Sequence, residues 1–165
     1  MRSIAVGGAL LLLAAASASA QVRGGLNELN VSGEISGVSA DDETETASQL
    51  QLRYGRFMNR NVELGIVLSA MKFEGEDAFG AVGGFVAFHL AGEGATAVPY
   101  IGAGVDTGFG YDSDNPLTYG SFAGMKFFVG AGGALSTEAY LRRTSRGNDV
   151  SWTSYGVRVG VSIFL

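Results

Sequence analysis

Eight charged residues, four acids and four bases, recur in this chain at positions that alternate with apolar residues. They are Glu34, Arg53, Glu63, Asp106, Lys126, Glu138, Arg142 and Arg158. Opposite charges on one face of a narrow structure could pair across it. One interpretation is a gated polar pore in which pairs such as Glu138 and Arg158 exchange partners. The other is a static network that fills an interior and satisfies its own charges.

The single histidine, His89, is the candidate for acid–base chemistry. Nucleophilic hydrolysis needs an imidazole beside a hydroxyl group and an orienting carboxylate. The residues that follow are Leu90 and Ala91, so the local sequence supplies no serine. We therefore expect His89 to fill an interior or interfacial position, and we assign no catalytic residue.

Two further patterns could hold ligands, and neither has the required spacing. The acidic segment 41–45 lacks the glycine and the ordered ligands of a calcium loop, so a solvated surface loop is expected. The glycine-rich segments 102–104 and 130–133 do not join a strand to a helix, which argues against a phosphate-binding loop. We expect no cofactor and no metal ion.

The elements that would position these residues are strands, because apolar residues recur with a period of two along the chain. Eight such runs are present, at 29–36, 49–54, 62–70, 81–90, 100–109, 117–127, 135–142 and 155–165. The 26 glycines disfavour helices and suit a curved sheet. Four polar, mostly acidic connections alternate with three connections richer in glycine and asparagine, as in an up-and-down barrel.

The composition of the two strand faces distinguishes a membrane barrel from a soluble one. One face carries almost no charge, whereas the other is mostly glycine, alanine and serine with scattered charges. The second face is too small and too sparsely charged for a solvated exterior, and it suits a narrow lumen. The sequence therefore predicts an all-β fold, an eight-stranded antiparallel transmembrane β-barrel, with the charged residues inside it. Because such interiors are generally filled by side chains, we expect the static network rather than the pore.

Aromatic residues near the predicted strand ends are typical of the interfacial girdles of membrane barrels. The set comprises Tyr54, Phe57, Tyr100, Phe109, Tyr111, Tyr119, Phe127, Trp152 and Tyr155.

The first twenty residues are expected to be a cleavable signal peptide. Arg2 precedes the apolar run 4–16, and Ala18 and Ala20 have the small side chains that a signal peptidase reads. Residues 21–165 would then form the barrel domain. The formal net charge of −5 argues against a nucleic-acid partner.

The alternating apolar residues from Tyr155 to Leu165 resemble the C-terminal signal of Gram-negative outer-membrane proteins, which usually ends in an aromatic residue. Here Phe164 precedes a final Leu165. Segments 61–65 and 99–105 also resemble strand entries of the small OmpA/OmpX-type barrels. That resemblance implies export through the periplasm to the cell outer membrane, and recognition of the last strand by the barrel-assembly machinery. It also implies contact with outer-membrane lipids and lipopolysaccharide.

The resemblance is specific for architecture and poorly specific for function. The expected role is non-enzymatic: a structural contribution to envelope integrity, or surface contact and adhesion through the loops, whose host or surface ligand the sequence does not identify. The alternatives are a lipid A-modifying enzyme, which some small outer-membrane barrels are, and a narrow gated pore.

Overall fold

A computed structural model describes residues 23–40, 43–73, 78–90, 94–109, 115–130, 132–147 and 150–165. The predicted signal peptide lies outside these residues. Within them, no helix is long and apolar enough to cross a membrane.

Eight strands account for most of the described chain. They are β1 (Asn27–Ala40), β2 (Glu43–Phe57), β3 (Val62–Phe73), β4 (Phe79–His89), β5 (Ala97–Phe109), β6 (Leu117–Phe128), β7 (Gly133–Arg146) and β8 (Val150–Phe164). Each is rich in the β-branched, aromatic or alternating apolar residues that favour extended backbone. The tight connection after β2 is stabilised by Asn59, whose side-chain oxygen accepts hydrogen bonds from the backbone N–H groups of Asn61 and Val62.

The strands form a closed antiparallel barrel in which each strand pairs with its neighbours in sequence. Closure comes from β1 and β8, whose register places Glu34 opposite Arg158 and Leu29 opposite Ile163. Where β1 begins and β8 has just ended, Asn27 and Leu165 exchange two backbone hydrogen bonds, of 3.0 and 2.9 Å. Because of this closure, each of the eight described strands has a hydrogen-bonded neighbour on both sides.

The exterior of the barrel is apolar. Large exposed side chains such as Leu50, Ile66, Ile101 and Val159 alternate with buried residues along their strands. Among the described residues, the charged side chains on the outward face of the strands, Arg56, Lys72 and Arg143, lie towards strand ends.

The predicted eight-stranded barrel is confirmed. The side chains that the alternating sequence pattern assigned to the outer and inner faces lie on those faces in the structure. The strands are longer than predicted on the side of the β1–β2 connection. Glu43, Thr44 and Glu45, expected in a surface loop, belong to β2. The rest of the predicted acidic segment, 41–42, lies outside the described residues.

Three of the predicted girdle aromatics, Phe57, Tyr100 and Trp152, face the interior instead. Phe57 is fully buried and Tyr100 is 4% exposed, because both fall on the inward phase of their strands. Trp152 lines the lumen at the far end of the barrel. Tyr54, Phe109, Tyr119, Phe127 and Tyr155 are exposed on the outer face, and Tyr111 lies outside the described residues.

Candidate functional site in the barrel lumen

The lumen contains polar side chains in three layers, which we name by their position. The turn-side layer lies near the β2–β3 connection, the central layer lies in the middle of the barrel, and the loop-side layer lies near the β7–β8 connection. All eight charged residues predicted to face the lumen do so.

The turn-side layer is a chain of buried charges. Lys126 Nζ lies 2.5 Å from Glu28 Oε2 and 3.4 Å from Glu63 Oε2. The Ser162 hydroxyl donates to Glu28 at 2.7 Å, and Asn30 donates to Ser162 at 2.9 Å. Glu28 therefore accepts from two donors, and Glu63 shares the ammonium group of Lys126, which meets the need of a buried charge for partners.

His89 belongs to this layer and is completely buried. Its Nε2 lies 2.9 Å from Glu63 Oε2, its ring stacks on Tyr100 with centroids 5.3 Å apart, and the Phe57 ring lies 4.9 Å away. Its Nδ1 atom has no hydrogen-bond partner among the described residues. A carboxylate thus orients the imidazole, but no hydroxyl lies at the other nitrogen, so the described residues do not assemble a His–Ser–acid triad here.

Aromatic rings cover the turn-side end of the lumen. The Phe164 ring stacks on Phe128 with centroids 5.2 Å apart and lies 6.4 Å from the Phe57 ring. Phe164 occupies the inward phase of β8, which it shares with Arg158 and Ser162. These rings and the buried charges behind them fill the barrel where the chain closes on itself.

The central layer has Glu138 at its centre. Arg53 donates to both of its oxygens, at 2.7 and 2.6 Å, and Arg158 donates to Oε1 at 2.8 Å. Arg158 also donates from Nε to Glu34 Oε2 at 2.6 Å. Two arginines and two carboxylates therefore form one continuous, charge-balanced network. Such bidentate pairs fix geometry as well as lowering energy.

Neutral groups complete the hydrogen bonds of this layer. Gln51 Oε1 accepts from Arg53 and from Arg158, each at 2.7 Å. The Tyr140 hydroxyl donates to Glu34 at 2.7 Å, and the Tyr100 hydroxyl donates to Glu138 at 3.1 Å. The guanidinium of Arg53 also lies over the Phe122 ring, 4.6 Å from its centroid. The charged side chains of this layer therefore contact neutral groups from several strands, as expected of a plug that closes the lumen.

Glycines on the inner wall give these large side chains room. A Cβ atom at Gly124 would lie 2.7 Å from the Tyr100 hydroxyl oxygen, and one at Gly55 would overlap the carboxylate of Glu63. At these two positions glycine has a specific cause: a ring or a carboxylate of the adjacent strand lies directly over it.

The loop-side layer is less tightly bonded. Asp106 and Arg142 line a cavity of about 30 Å³ there, together with Gln49, Thr118 and Trp152. The hydroxyl groups of Thr118 and Thr144 lie 2.9 Å apart. The guanidinium of Arg142 lies 5.0 Å from the centroid of the Tyr140 ring. Among the described residues, no carboxylate lies within 4.0 Å of it.

The structure groups the predicted lumen residues as follows. Glu63 and Lys126 meet in the turn-side layer, and Glu34, Arg53, Glu138 and Arg158 meet in the central layer. Asp106 and Arg142 share the loop-side cavity without forming an ion pair there. Sequence reasoning missed Glu28, which bonds Lys126; it lies two residues before Asn30, so extending the first run by one step would have found it.

Small cavities separate the layers. One of about 10 Å³ lies between Lys126 and Arg158, and one of about 20 Å³ lies between Arg53 and Arg142. Spaces of this size hold about one or two water molecules each. The described interior is therefore filled by side chains, and the central network lies across the path that an ion would take.

No protein-family model matches this chain, and no curated protein matches it at a significant level. Solved structures do match. The crystal structure of Neisserial surface protein A aligns over 84% of this chain and 98% of its own, with a TM-score of 0.67 and 14% identity. The outer membrane protein OprG from Pseudomonas aeruginosa aligns over 89% and 98%, with a TM-score of 0.58 and 9% identity.

A third match is a structure from the de novo design of transmembrane β-barrels, with a TM-score of 0.55 and 16% identity over 88% of this chain and 99% of the design. The structural alignments show that this chain folds like the small barrels of outer-membrane proteins. Because the sequence identities are low, they show the fold alone. Because a designed barrel has the same fold, the fold by itself does not specify a function.

Proposed function

We propose that this protein is an integral outer-membrane barrel of a Gram-negative cell, non-enzymatic and closed by its own side chains, that contributes to envelope integrity. The observation that carries the proposal is the inverted polarity of the barrel. Leu50, Ile66 and Val159 are 57–62% exposed on the outside, whereas Glu34, Glu138 and Arg158 are 2–7% exposed within.

That arrangement is stable in lipid for a physical reason. A bilayer offers no hydrogen-bonding partners, so a spanning chain must satisfy every backbone group internally, and a closed barrel does so. The strands contain 11–15 residues each, against about 9–11 needed to cross the hydrocarbon core. Outer-membrane lipids and lipopolysaccharide are then the surroundings of the apolar face.

The filled, hydrogen-bonded lumen supports a structural role over the two alternatives. A gated pore would need Glu138 to release Arg53 or Arg158, and each release leaves a buried charge without its partner. A lipid A-modifying enzyme would need a nucleophile near the outer rim. His89 instead lies at the turn side, fully buried and paired with Glu63.

The location is tested by fractionation and by gel mobility. We expect the protein in the outer-membrane fraction, with faster mobility before heating than after it, as a detergent-resistant barrel gives. A protein that is soluble without detergent and shows no heat-dependent shift would contradict the proposal.

The role is tested by a deletion strain assayed in parallel for detergent sensitivity and for surface adhesion. Envelope integrity predicts increased detergent sensitivity that the wild-type gene restores. Normal detergent resistance combined with lost adhesion would favour the surface-contact role instead, with a host or surface ligand bound by the loops.

A further inference from the structure

The two ends of the barrel differ in surface charge. The loop-side connections and the strand ends beside them contain ten of the 16 acidic residues, in segments 41–45, 74–77, 112–114 and 149. The turn-side connections contain one acidic residue, Glu93, which lies outside the described residues. On the described surface of that end, the charged side chains are three arginines, which we call the turn-side arginines: Arg23, Arg56 and Arg60. The turn-side end therefore presents positive charge.

A tight turn before β1 brings Arg23 to the same part of the rim as the other two arginines. The Leu26 N–H donates to the carbonyl oxygen of Arg23 at 3.4 Å, and Gly25 has a φ of +90°, which favours glycine at the third position of a β-turn. The Gly25 N–H donates to the carbonyl oxygen of Phe57 at 2.7 Å. Arg23 therefore begins a turn that is bonded to the end of β2, next to Arg56.

Arg56 and Arg60 lie on either side of the end of β2. Arg56 has the outward phase of the strand, between Tyr54 and Met58, which are 44% and 60% exposed. Its backbone is opposite Asn27 at the start of β1. Arg60 is exposed in the β2–β3 connection. In a membrane barrel, a strand end with an outward tyrosine lies at the boundary between hydrocarbon and headgroups, where a long arginine side chain extends its charge to the polar region.

The turn-side arginines have no carboxylate partner among the described residues, unlike Arg53 and Arg158 in the lumen. The described ion pairs all join lumen side chains. Arg60 donates one hydrogen bond, to the side-chain oxygen of Asn61 at 3.3 Å. The described residues supply no side-chain acceptor to Arg23 or Arg56. Because a guanidinium carries five N–H donors, most donors of this group are free to bind an external anion.

We propose that the turn-side arginines bind the phosphate headgroups of anionic phospholipids in the leaflet at that end of the barrel. Guanidinium pairs with phosphate through parallel hydrogen bonds, so a headgroup supplies the acceptors that these arginines lack. A lipid fits better than a soluble anion because Arg56 shares its outward phase with apolar residues. Leu64 lies directly opposite Arg56, and the exposed Ile66 is the next outward residue of β3, so an acyl chain can lie along both. The inference rests on the proposed membrane location.

The test is native mass spectrometry of the barrel in a neutral detergent, titrated separately with phosphatidylglycerol and phosphatidylcholine of the same acyl chains. Both lipids contain a phosphate, but only phosphatidylglycerol has a net negative charge. We expect phosphatidylglycerol to bind about tenfold or more tightly than phosphatidylcholine, because several basic side chains at a membrane surface add their attractions for an anionic lipid. Inorganic phosphate at the same concentration as the lipid should not displace it, since phosphate has no acyl chain to contact the apolar face.

Two double variants with the same change in charge locate the site. R56Q/R60Q removes two positive charges at the turn side and should reduce the preference for phosphatidylglycerol by about fivefold or more. K72Q/R143Q removes two outward positive charges towards the loop-side strand ends and should leave the preference unchanged. R56K/R60K retains the charges and should retain most of the preference.

Three results would overturn the proposal. They are equal binding of the two lipids by the wild type, an equal loss of preference in the two glutamine double variants, and displacement of bound lipid by inorganic phosphate. Failure of the proposed function gives a different result, because a protein without heat-modifiable gel mobility would not be a detergent-resistant barrel at all. The same mobility assay checks that each variant folds. If R56Q/R60Q does not fold, R23Q/R60Q replaces it, since both of its substitutions lie outside the strands.

Discussion

Arg53 and Glu138 lie on β2 and β7, which are not neighbours in the barrel, and they join through two parallel N–H···O contacts of 2.7 and 2.6 Å. The pair therefore links two parts of the wall that share no backbone hydrogen bonds. Arg158 on β8 extends the link to Glu34 on β1. The interior thus adds side-chain connections across the lumen to those that the sheet makes around it.

E138Q should destabilise the barrel strongly. The change keeps the shape of the side chain but leaves Arg53 and Arg158 without their shared negative charge. Removing one member of a buried ion pair costs about 3–5 kcal/mol. Urea-induced unfolding in phospholipid vesicles, followed by gel mobility, measures the free energy of unfolding.

The matched control for that measurement is R143Q, which removes an exposed outward charge and should change stability by about 0.5 kcal/mol or less. Equal midpoints for E138Q and the wild type would show that the central network is not a stabilising plug.

The strands and their inward faces could be predicted from the sequence because a period of two determines which side chains share a face. The pair of Glu138 and Arg158 could be proposed as well, since they are directly opposed on consecutive strands. The pair of Arg53 and Glu138 could not, because contacts across a lumen depend on the stagger of the strands around the closed barrel, which no local pattern encodes.

The misassigned aromatics have a related cause. Phe57 and Tyr100 lie near strand ends, where membrane barrels place interfacial rings, but their phase directs them inwards. The alternation along the strand therefore predicted the direction of these side chains better than their position near a strand end did. In the structure both rings pack against His89, which the sequence reasoning placed in the interior or at the interface without partners.

G124A should destabilise the barrel by about 1–3 kcal/mol, the usual cost of forcing an extra group into a packed interior. The added methyl group would lie 2.4 Å from the backbone carbonyl oxygen of Thr137 and 2.7 Å from the Tyr100 side chain, whose hydroxyl donates to Glu138. G33A is the control, because an added Cβ there meets nothing within 4 Å. The urea midpoints of the two variants should differ clearly, and an equal effect would mean that Gly124 is not needed for packing.

Wild-type protein should give no steady single-channel conductance in planar bilayers. The cavities along the described lumen measure about 10, 20 and 30 Å³ and are separated by bonded side chains. A known porin in the same bilayer preparation is the positive control. Reproducible unitary steps from purified wild-type protein, which disappear when the protein is boiled before addition, would favour the pore over the plug.

The side chain of Leu165 should matter for assembly more than for stability. Leu165 is 67% exposed, and its backbone, rather than its side chain, bonds Asn27. L165F should assemble at least as well as the wild type in cells, and L165D should accumulate outside the outer membrane while still folding in detergent. Equal outer-membrane levels of L165D and the wild type would argue against recognition of the terminal side chain by the assembly machinery.

The V157R substitution tests whether the apolar outer face of the barrel lies in the hydrocarbon core of a bilayer. Val157 lies at the middle of β8 and is 58% exposed, so in water the substitution would be nearly neutral. In a bilayer, an arginine on the lipid face of a barrel costs about 2–4 kcal/mol at the midplane and about 0–1 near the interface. L90R, just beyond the end of β4 and 56% exposed, is therefore the matched control. Urea unfolding in vesicles should show a large loss for V157R and a small one for L90R, whereas equal small losses would place the apolar face outside the hydrocarbon core.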